Sequence, residues 1–239
     1  MKIELRELTK RLGRTTVLDS VSLLLPEGQI IAILGANGAG KTTLLHLLGG
    51  LYQPDDGEIL FDEEKLERHR LDLRRRLHYL PDIPVMSPRQ TPIDYVLLAL
   101  EAYGLADEDA NQTIIELFEA FDLLPLADCP SSSLSRGQRY KATLCALIAI
   151  DPDFWILDEP FTSGMDPTGL MAMRQQLEAA RDRGKTIVFS TQLIEVAQSL
   201  SDLVCILDAS QIAAFGPINE LETSTDDEKL LQLLEQLRS

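Results

Sequence analysis

The chain has 239 residues, 45% of them hydrophobic, and a formal charge of −16, enough length to bury a proper core in one large domain or two small ones. No apolar stretch reaches the roughly 20 residues a spanning helix needs, Met1-Lys2-Ile3-Glu4-Leu5-Arg6 alternates charge where a secretory leader would be apolar, and no Lys/Arg stripe interleaves with aromatics, so membrane-spanning, secreted and nucleic-acid-binding classes are set aside. Cys129, Cys145 and Cys205 are odd in number and scattered, which reads as reduced thiols and not as ligands or bridges.

The N-terminal stretch alternates apolar and polar residues (Ile3, Leu5, then Val21, Leu23, Leu25), the pattern of a half-buried antiparallel layer. Gly57-Glu58-Ile59-Leu60-Phe61, after the turn Pro54-Asp55-Asp56-Gly57, reads as another strand of it. Between them the apolar run Ile30-Ile31-Ala32-Ile33-Leu34 leads into Gly35-Ala36-Asn37-Gly38-Ala39-Gly40-Lys41-Thr42, followed by the helical run Leu44-Leu45-His46-Leu47-Leu48. Strand, glycine loop, Lys-Thr and helix together define a P-loop. Its glycines let backbone N–H groups close on phosphate oxygens, Lys41 reaches the β- and γ-phosphates, and Thr42 offers its hydroxyl to Mg²⁺. The nucleotide contacts expected here run from Gly35 through Thr43.

Arg68-His69-Arg70 and Arg74-Arg75-Arg76 form the one basic cluster, read as a solvated helix face. Residues 91–134 hold no strand-like run; Ile93, Val96, Leu97 and Leu100, then Ile114, Ile115, Leu117, Phe118 and Phe121, fall at helical spacing, which predicts a helical subdomain inserted into a core of 1–90 and 135–239. Phe154-Trp155-Ile156-Leu157, Thr186-Ile187-Val188-Phe189 and Leu203-Val204-Cys205-Ile206-Leu207 are short apolar runs separated by helical patterns, as buried parallel strands are. The fold class is therefore α/β: a P-loop fold with a mainly parallel core sheet, an antiparallel β layer and an inserted helical subdomain. The tail from Asp226-Asp227-Glu228 to Leu237 reads as an amphipathic helix, acidic at its positive end, that packs on its own domain.

Asp158-Glu159-Pro160 places two carboxylates at the end of a buried strand, a costly position unless a cation or hydrogen-bond donors meet them. In a P-loop fold Asp158 holds Mg²⁺ through its water shell, and Glu159 orients or deprotonates the attacking water. Upstream, Leu134-Ser135-Arg136-Gly137-Gln138 opens a helix, so Ser135 and the amides near Gly137 form a second anion site that the P-loop of the same chain does not reach. This segment resembles the LSGGQ signature of ATP-binding cassette (ABC) ATPases, with Arg136 at its third position. Ser163-Gly164-Met165-Asp166 resembles the D-loop, and Gly216-Pro217 closes the last strand as in that family.

The resemblance implies an ATP-binding, Mg²⁺-dependent subunit that pairs head to tail with a second ATP-binding domain, in a homodimer or a heterodimer. Ser135, Gly137, Gln138 and Asp166 then join the nucleotide contacts. It further implies an export transporter with a separate membrane permease, placing the chain in the cytoplasm on the inner face of the cell membrane. The permease's coupling helix is expected beside Asp82 to Thr91, where Ile83, Pro84, Val85, Met86 and Pro88 offer apolar surface.

Three positions depart from the family. Leu12 stands near where an adenine-stacking aromatic is usual. Asp82 replaces the Q-loop glutamine but keeps an oxygen for a metal ion. Gln192 replaces the H-loop histidine; it can donate to a γ-phosphate but cannot become a cation. His46, His69 and His78 read as packing or surface residues. Catalysis is thus assigned to Glu159, Gln192 and Lys41, and metal binding to Thr42, Asp82 and Asp158, with slow turnover expected. The alternative is a nucleotide-gated clamp or regulatory subunit that hydrolyses little. A ribosome- or DNA-acting ABC protein fits poorly with the acidic charge and with the lack of a tandem domain.

Overall fold

Ile30 to Leu34 carry no polar side chain, and the strand they form has every residue at 0% exposure, at about 1.5–3 kcal/mol for each large side chain withdrawn from water. The computed structural model, which describes residues 1–105, 110–223 and 228–238, places that strand at the centre of the fold. Contacts divide the chain into two compact units. The first comprises Met1–Tyr79, Asp153–Asp158 and Arg181–Ser239, the second Leu80–Pro152 and Glu159–Ala180.

In the first unit, β1 (Ile3–Leu12) and β2 (Thr15–Leu25) form an antiparallel hairpin. The central strand is β3 (Ile30–Leu34), followed by α1 (Lys41–Leu48). Next come β4 (Asp56–Phe61), β5 (Glu64–Lys65), the four-residue α2 (Leu71–Arg74) and β6 (Leu77–Leu80). Ile3, Leu5 and Leu8 of β1 are buried while the residues between them reach solvent, so the alternation read from sequence sets which face packs. The layer order is β2-β1-β4-β5, all antiparallel.

The second unit begins with α3 (Pro92–Tyr103) and α4 (Ala110–Ala120), joined by α5 (Arg136–Ile150), against which both pack. Thr91 caps α3 in a reciprocal box with Asp94, and Pro92 occupies the first turn, where a missing N–H costs nothing. This unit takes in α5 and most of the later α6 (Pro167–Asp182) as well as the 91–134 segment. The reason is contact: Val96, Leu100, Ile114 and Phe118 bury the faces that helical spacing marked.

The chain returns to the first unit through β7 (Phe154–Leu157), then β8 (Thr186–Thr191), α7 (Ile194–Leu200), β9 (Leu203–Asp208) and β10 (Gln211–Gly216). The six-stranded sheet runs β10-β9-β3-β8-β7-β6; β9, β3, β8 and β7 are mutually parallel and β10 is antiparallel. Two short helices close the chain, α8 (Ile218–Thr223) and α9 (Glu228–Arg238). Leu230 and Leu234 are buried and α9 packs on α7, as an own-domain amphipathic tail should; Asp226 and Asp227 lie outside the described residues.

The basic cluster is not one solvated helix face. Arg70 pairs with Glu64 and Asp72, and Arg76 donates to Asp62 Oδ2 at 2.7 Å and to Asp153 Oδ2 at 2.9 Å. A helix of four residues is too short to present a face; these cations serve as ties between loops and strands. Cys145 and Cys205 are buried, and burial pushes both thiols up, Cys205 to about 12, which keeps them protonated and inert.

Candidate functional site

The parallel strands of the first unit end together, and their carboxyl ends carry the chemistry. From β3 the chain enters the P-loop. Gly38 and Gly40 sit at φ +81° and +106°, where a Cβ is strained. A Cβ on Gly40 would also lie 3.0 Å from the Val17 carbonyl oxygen, so a side chain there has neither conformation nor space. α1 opens with no side-chain cap on Gly40, so its first-turn N–H groups are presented by the loop itself. Lys41 is 6% exposed and donates from Nζ to the carbonyl oxygens of Gly35 at 2.9 Å and Ala36 at 3.3 Å. An ammonium so held, beside a glycine-lined backbone cradle at a helix start, fits a polyphosphate.

At the end of β7, Asp158 is 3% exposed. Three hydroxyls donate to it: Ser190 to Oδ1 at 2.6 Å, Thr42 to Oδ1 at 3.2 Å and Tyr79 to Oδ2 at 3.2 Å. Such an all-oxygen set suits Mg²⁺, which takes one or two protein ligands and completes its shell with phosphates and water. Gln192 follows β8 directly and is half-buried, while Leu12 ends β1 at 43% exposure. Sequence reasoning missed Ser190 and Tyr79 and set His46 aside as packing. In the structure His46 Nε2 lies 3.0 Å from the Tyr79 hydroxyl. Burial lowers the imidazole pKa and the Asp158 carboxylate opposes that, leaving it below the ordinary histidine value. The available signal was spacing: Thr42 and His46 lie four apart on one helix face.

Within the second unit, Ser135 caps α5: its hydroxyl accepts from the Gln138 N–H at 3.1 Å, and the Gln138 side chain accepts from the Ser135 N–H at 2.8 Å. Asp166 receives Lys141 Nζ at 2.6 Å and the Gly169 N–H at 2.8 Å, which ties the start of α6 to α5. Both effects hold the Asp166 carboxyl below the usual range, the lysine first. Asp82, assigned to a metal ion by sequence, has its carboxylate ion-paired with Arg136, whose guanidinium also reaches the Asp82 carbonyl at 3.3 Å. Two of the unusual residues therefore answer one another. In the loop after Asp82, Ile83 and Val85 are 68% and 76% exposed while Pro84 is buried, so only part of the expected apolar surface faces outward. Glu159 sits at φ 44°, ψ 48°, a left-handed conformation that costs a non-glycine residue about 1–2 kcal/mol.

Gly137 packs so closely on the D-loop that a Cβ would fall 2.3 Å from the Gly164 carbonyl oxygen and 3.1 Å from the Met165 nitrogen. Both are backbone atoms and neither can swing aside. Gly137→Ala is accordingly expected to lower stability by about 1–3 kcal/mol, read as a reduced melting temperature; an unchanged value would mean the D-loop moves freely.

Residues 18–162 match the model of the ABC transporter family. The Nod factor export ATP-binding protein I of Burkholderia orbicola (strain AU 1054) is 33% identical over 90% of this chain and 70% of its own length. The phosphate import ATP-binding protein PstB 2 of Natronomonas pharaonis is 33% identical over 89% of this chain and 79% of its own. A solved ATP-binding subunit of an ABC transporter superposes over the whole of both chains with a TM-score of 0.90 at 25% identity. An ATP-binding cassette bound to ADP and Pi, covering 90% of this chain and 98% of its own, gives 0.81 at 24% identity and speaks for the fold. The fold and the site thus define an ABC-type ATP-binding domain. This chain belongs to the ABC transporter family, as an ATP-binding subunit.

Proposed function

We propose that the chain hydrolyses Mg-ATP to drive export through a separate membrane permease, at the inner face of the cell membrane, in a dimer with a second ATP-binding domain. The names of its Burkholderia and Ralstonia relatives support export, although an importer's subunit is equally identical. The exposed Ile83 and Val85 support a permease contact beside Asp82 to Thr91. No helix among the described residues is long and apolar enough to cross a membrane; in this reading the translocation path lies in the partner.

The observation that carries turnover over mere binding is Glu159, which follows directly on the anchored Asp158 and is held in a strained backbone conformation. In this reading Lys41 and the P-loop amides bind the β- and γ-phosphates, Thr42 and Asp158 hold the magnesium ion, and Glu159 accepts a proton from the attacking water. When bound, the ion would supply neutralisation of the phosphates' charge. Gln192 donates a hydrogen bond to the γ-phosphate, and Ser135, Gly137 and Gln138 face the nucleotide of the opposite domain. Asp82 is a positioning partner of Arg136 before it is a metal contact.

A second reading, the nucleotide-gated clamp, draws on Gln192, Leu12 and the engaged Asp82. Steady-state hydrolysis by the purified chain with Mg²⁺, measured beside Gln192→His, separates the two. Slow turnover that rises about tenfold or more in the variant is expected, since a cationic donor on developing charge is worth about 2–4 kcal/mol. Retained Mg-ATP binding with no turnover in either protein would establish the clamp.

A further inference from the structure

One face of α1 reaches both oxygens of Asp158. Thr42 donates directly to Oδ1 at 3.2 Å. His46, four residues on and therefore on the same face, reaches Oδ2 through the Tyr79 hydroxyl, at 3.0 and 3.2 Å along the chain. Proton counting fixes the direction. An ionised carboxylate only accepts, and a phenol has one proton; that proton goes to Asp158, so His46 carries hydrogen on Nε2 and donates it to the Tyr79 oxygen. The imidazole is held edge-on between two rings, those of Tyr52 at 4.8 Å and Tyr79 at 5.2 Å between centroids, which sets its plane.

We propose that Tyr79 and His46 are positioning residues for the metal-holding carboxylate: His46 orients the Tyr79 hydroxyl, and that hydroxyl, with Ser190 and Thr42 on the other oxygen, keeps Asp158 from turning about its last side-chain bond. The torsion of a free carboxylate is broad and nearly two-fold; Ser190 and Thr42 hold Oδ1 and Tyr79 holds Oδ2, so the three donors set it together. Loss of either member leaves a carboxylate present but misdirected, the usual consequence of removing an outer partner of a metal ligand. The inference rests on the reading that Asp158 holds Mg²⁺ beside ATP.

The test is ATP binding titrated with Mg²⁺, alongside ATP affinity in excess chelator. Tyr79→Phe keeps the ring and removes the hydroxyl. Its Mg²⁺ midpoint is expected to rise about tenfold while chelator-condition affinity stays at the wild-type value, and kcat should fall with little change in KM at saturating Mg²⁺. His46→Phe should shift the midpoint the same way, and His46→Gln, which restores an N–H donor, should recover part of it. An unshifted midpoint in Tyr79→Phe, or an equal loss of metal-free ATP affinity, would overturn the positioning role. Wild-type binding indifferent to Mg²⁺ would overturn the underlying functional reading, and it would be visible before any substitution is made.

Discussion

Lys41→Ala should abolish the rise in melting temperature that Mg-ATP gives the wild-type chain. Hydrogen bonds to charged groups are worth about 1.5–3 kcal/mol, and Lys41 is the P-loop's own cation, so affinity should fall by about ten- to a hundredfold. A ligand stabilises the folded state by RT ln(1 + [L]/Kd), which drops below about 0.4 kcal/mol once Kd exceeds the ligand concentration, so the shift is read with Mg-ATP held not far above the wild-type Kd. The nucleotide-free chain should melt nearly where the wild type does. Lys41 is buried at 6% exposure and donates to the neutral carbonyl oxygens of Gly35 and Ala36, contacts whose loss costs less than breaking a buried ion pair. Thermal unfolding of both proteins with and without Mg-ATP checks this directly. A preserved ligand-induced shift in the variant would mean that ATP binds away from the P-loop.

The parts of the site legible in the sequence are those that lie contiguously along it. Ile30 to Thr42 state strand, loop and helix start in thirteen successive residues, and the fully apolar β7 ends on two carboxylates that need a reason to be there. The half-buried β layer was legible because alternation is a local property. What was hidden depends on contacts far apart in the chain. Nothing local marks Tyr79 or Ser190 as donors to Asp158, because the sheet order that brings them together is a property of the whole fold. β6 was hidden for a similar reason: Leu77-His78-Tyr79-Leu80 has no clear period, and sheet pairing makes it a strand.

Arg136 and Asp82 show the same limit from another side. Each looked like an isolated departure from a motif, and an isolated charge beside a phosphate site invites a role in binding phosphate or metal. Their pairing gives each a partner first. The pair is 43% and 37% exposed, a setting in which ion pairs contribute about 0–1 kcal/mol, so it orients side chains more than it stabilises the fold. Read singly, the basic residues 68–76 misled in the same way, since the carboxylates of Asp62 and Asp153 that engage Arg76 lie at sequence positions no helical periodicity connects.

Glu159→Gln should lower turnover by about a thousandfold while leaving Mg-ATP binding intact. A positioned general base contributes about 10²–10⁴, and an amide of the same shape keeps the side chain in place while losing the capacity to take a proton. The backbone supports that assignment on its own terms: φ 44° and ψ 48° would be relieved by glycine, yet the position holds a carboxylate, so the side chain and not the turn accounts for the residue. Single-turnover hydrolysis and nucleotide binding, measured on the same preparation, separate the two effects. Hydrolysis in the variant at the wild-type rate would remove Glu159 from the chemistry and leave only Lys41 and Gln192 to act on the γ-phosphate. Since neither of those can accept a proton from water as a carboxylate does, that result would require another group to take the proton and would make the strained turn a structural feature of the D-loop entrance.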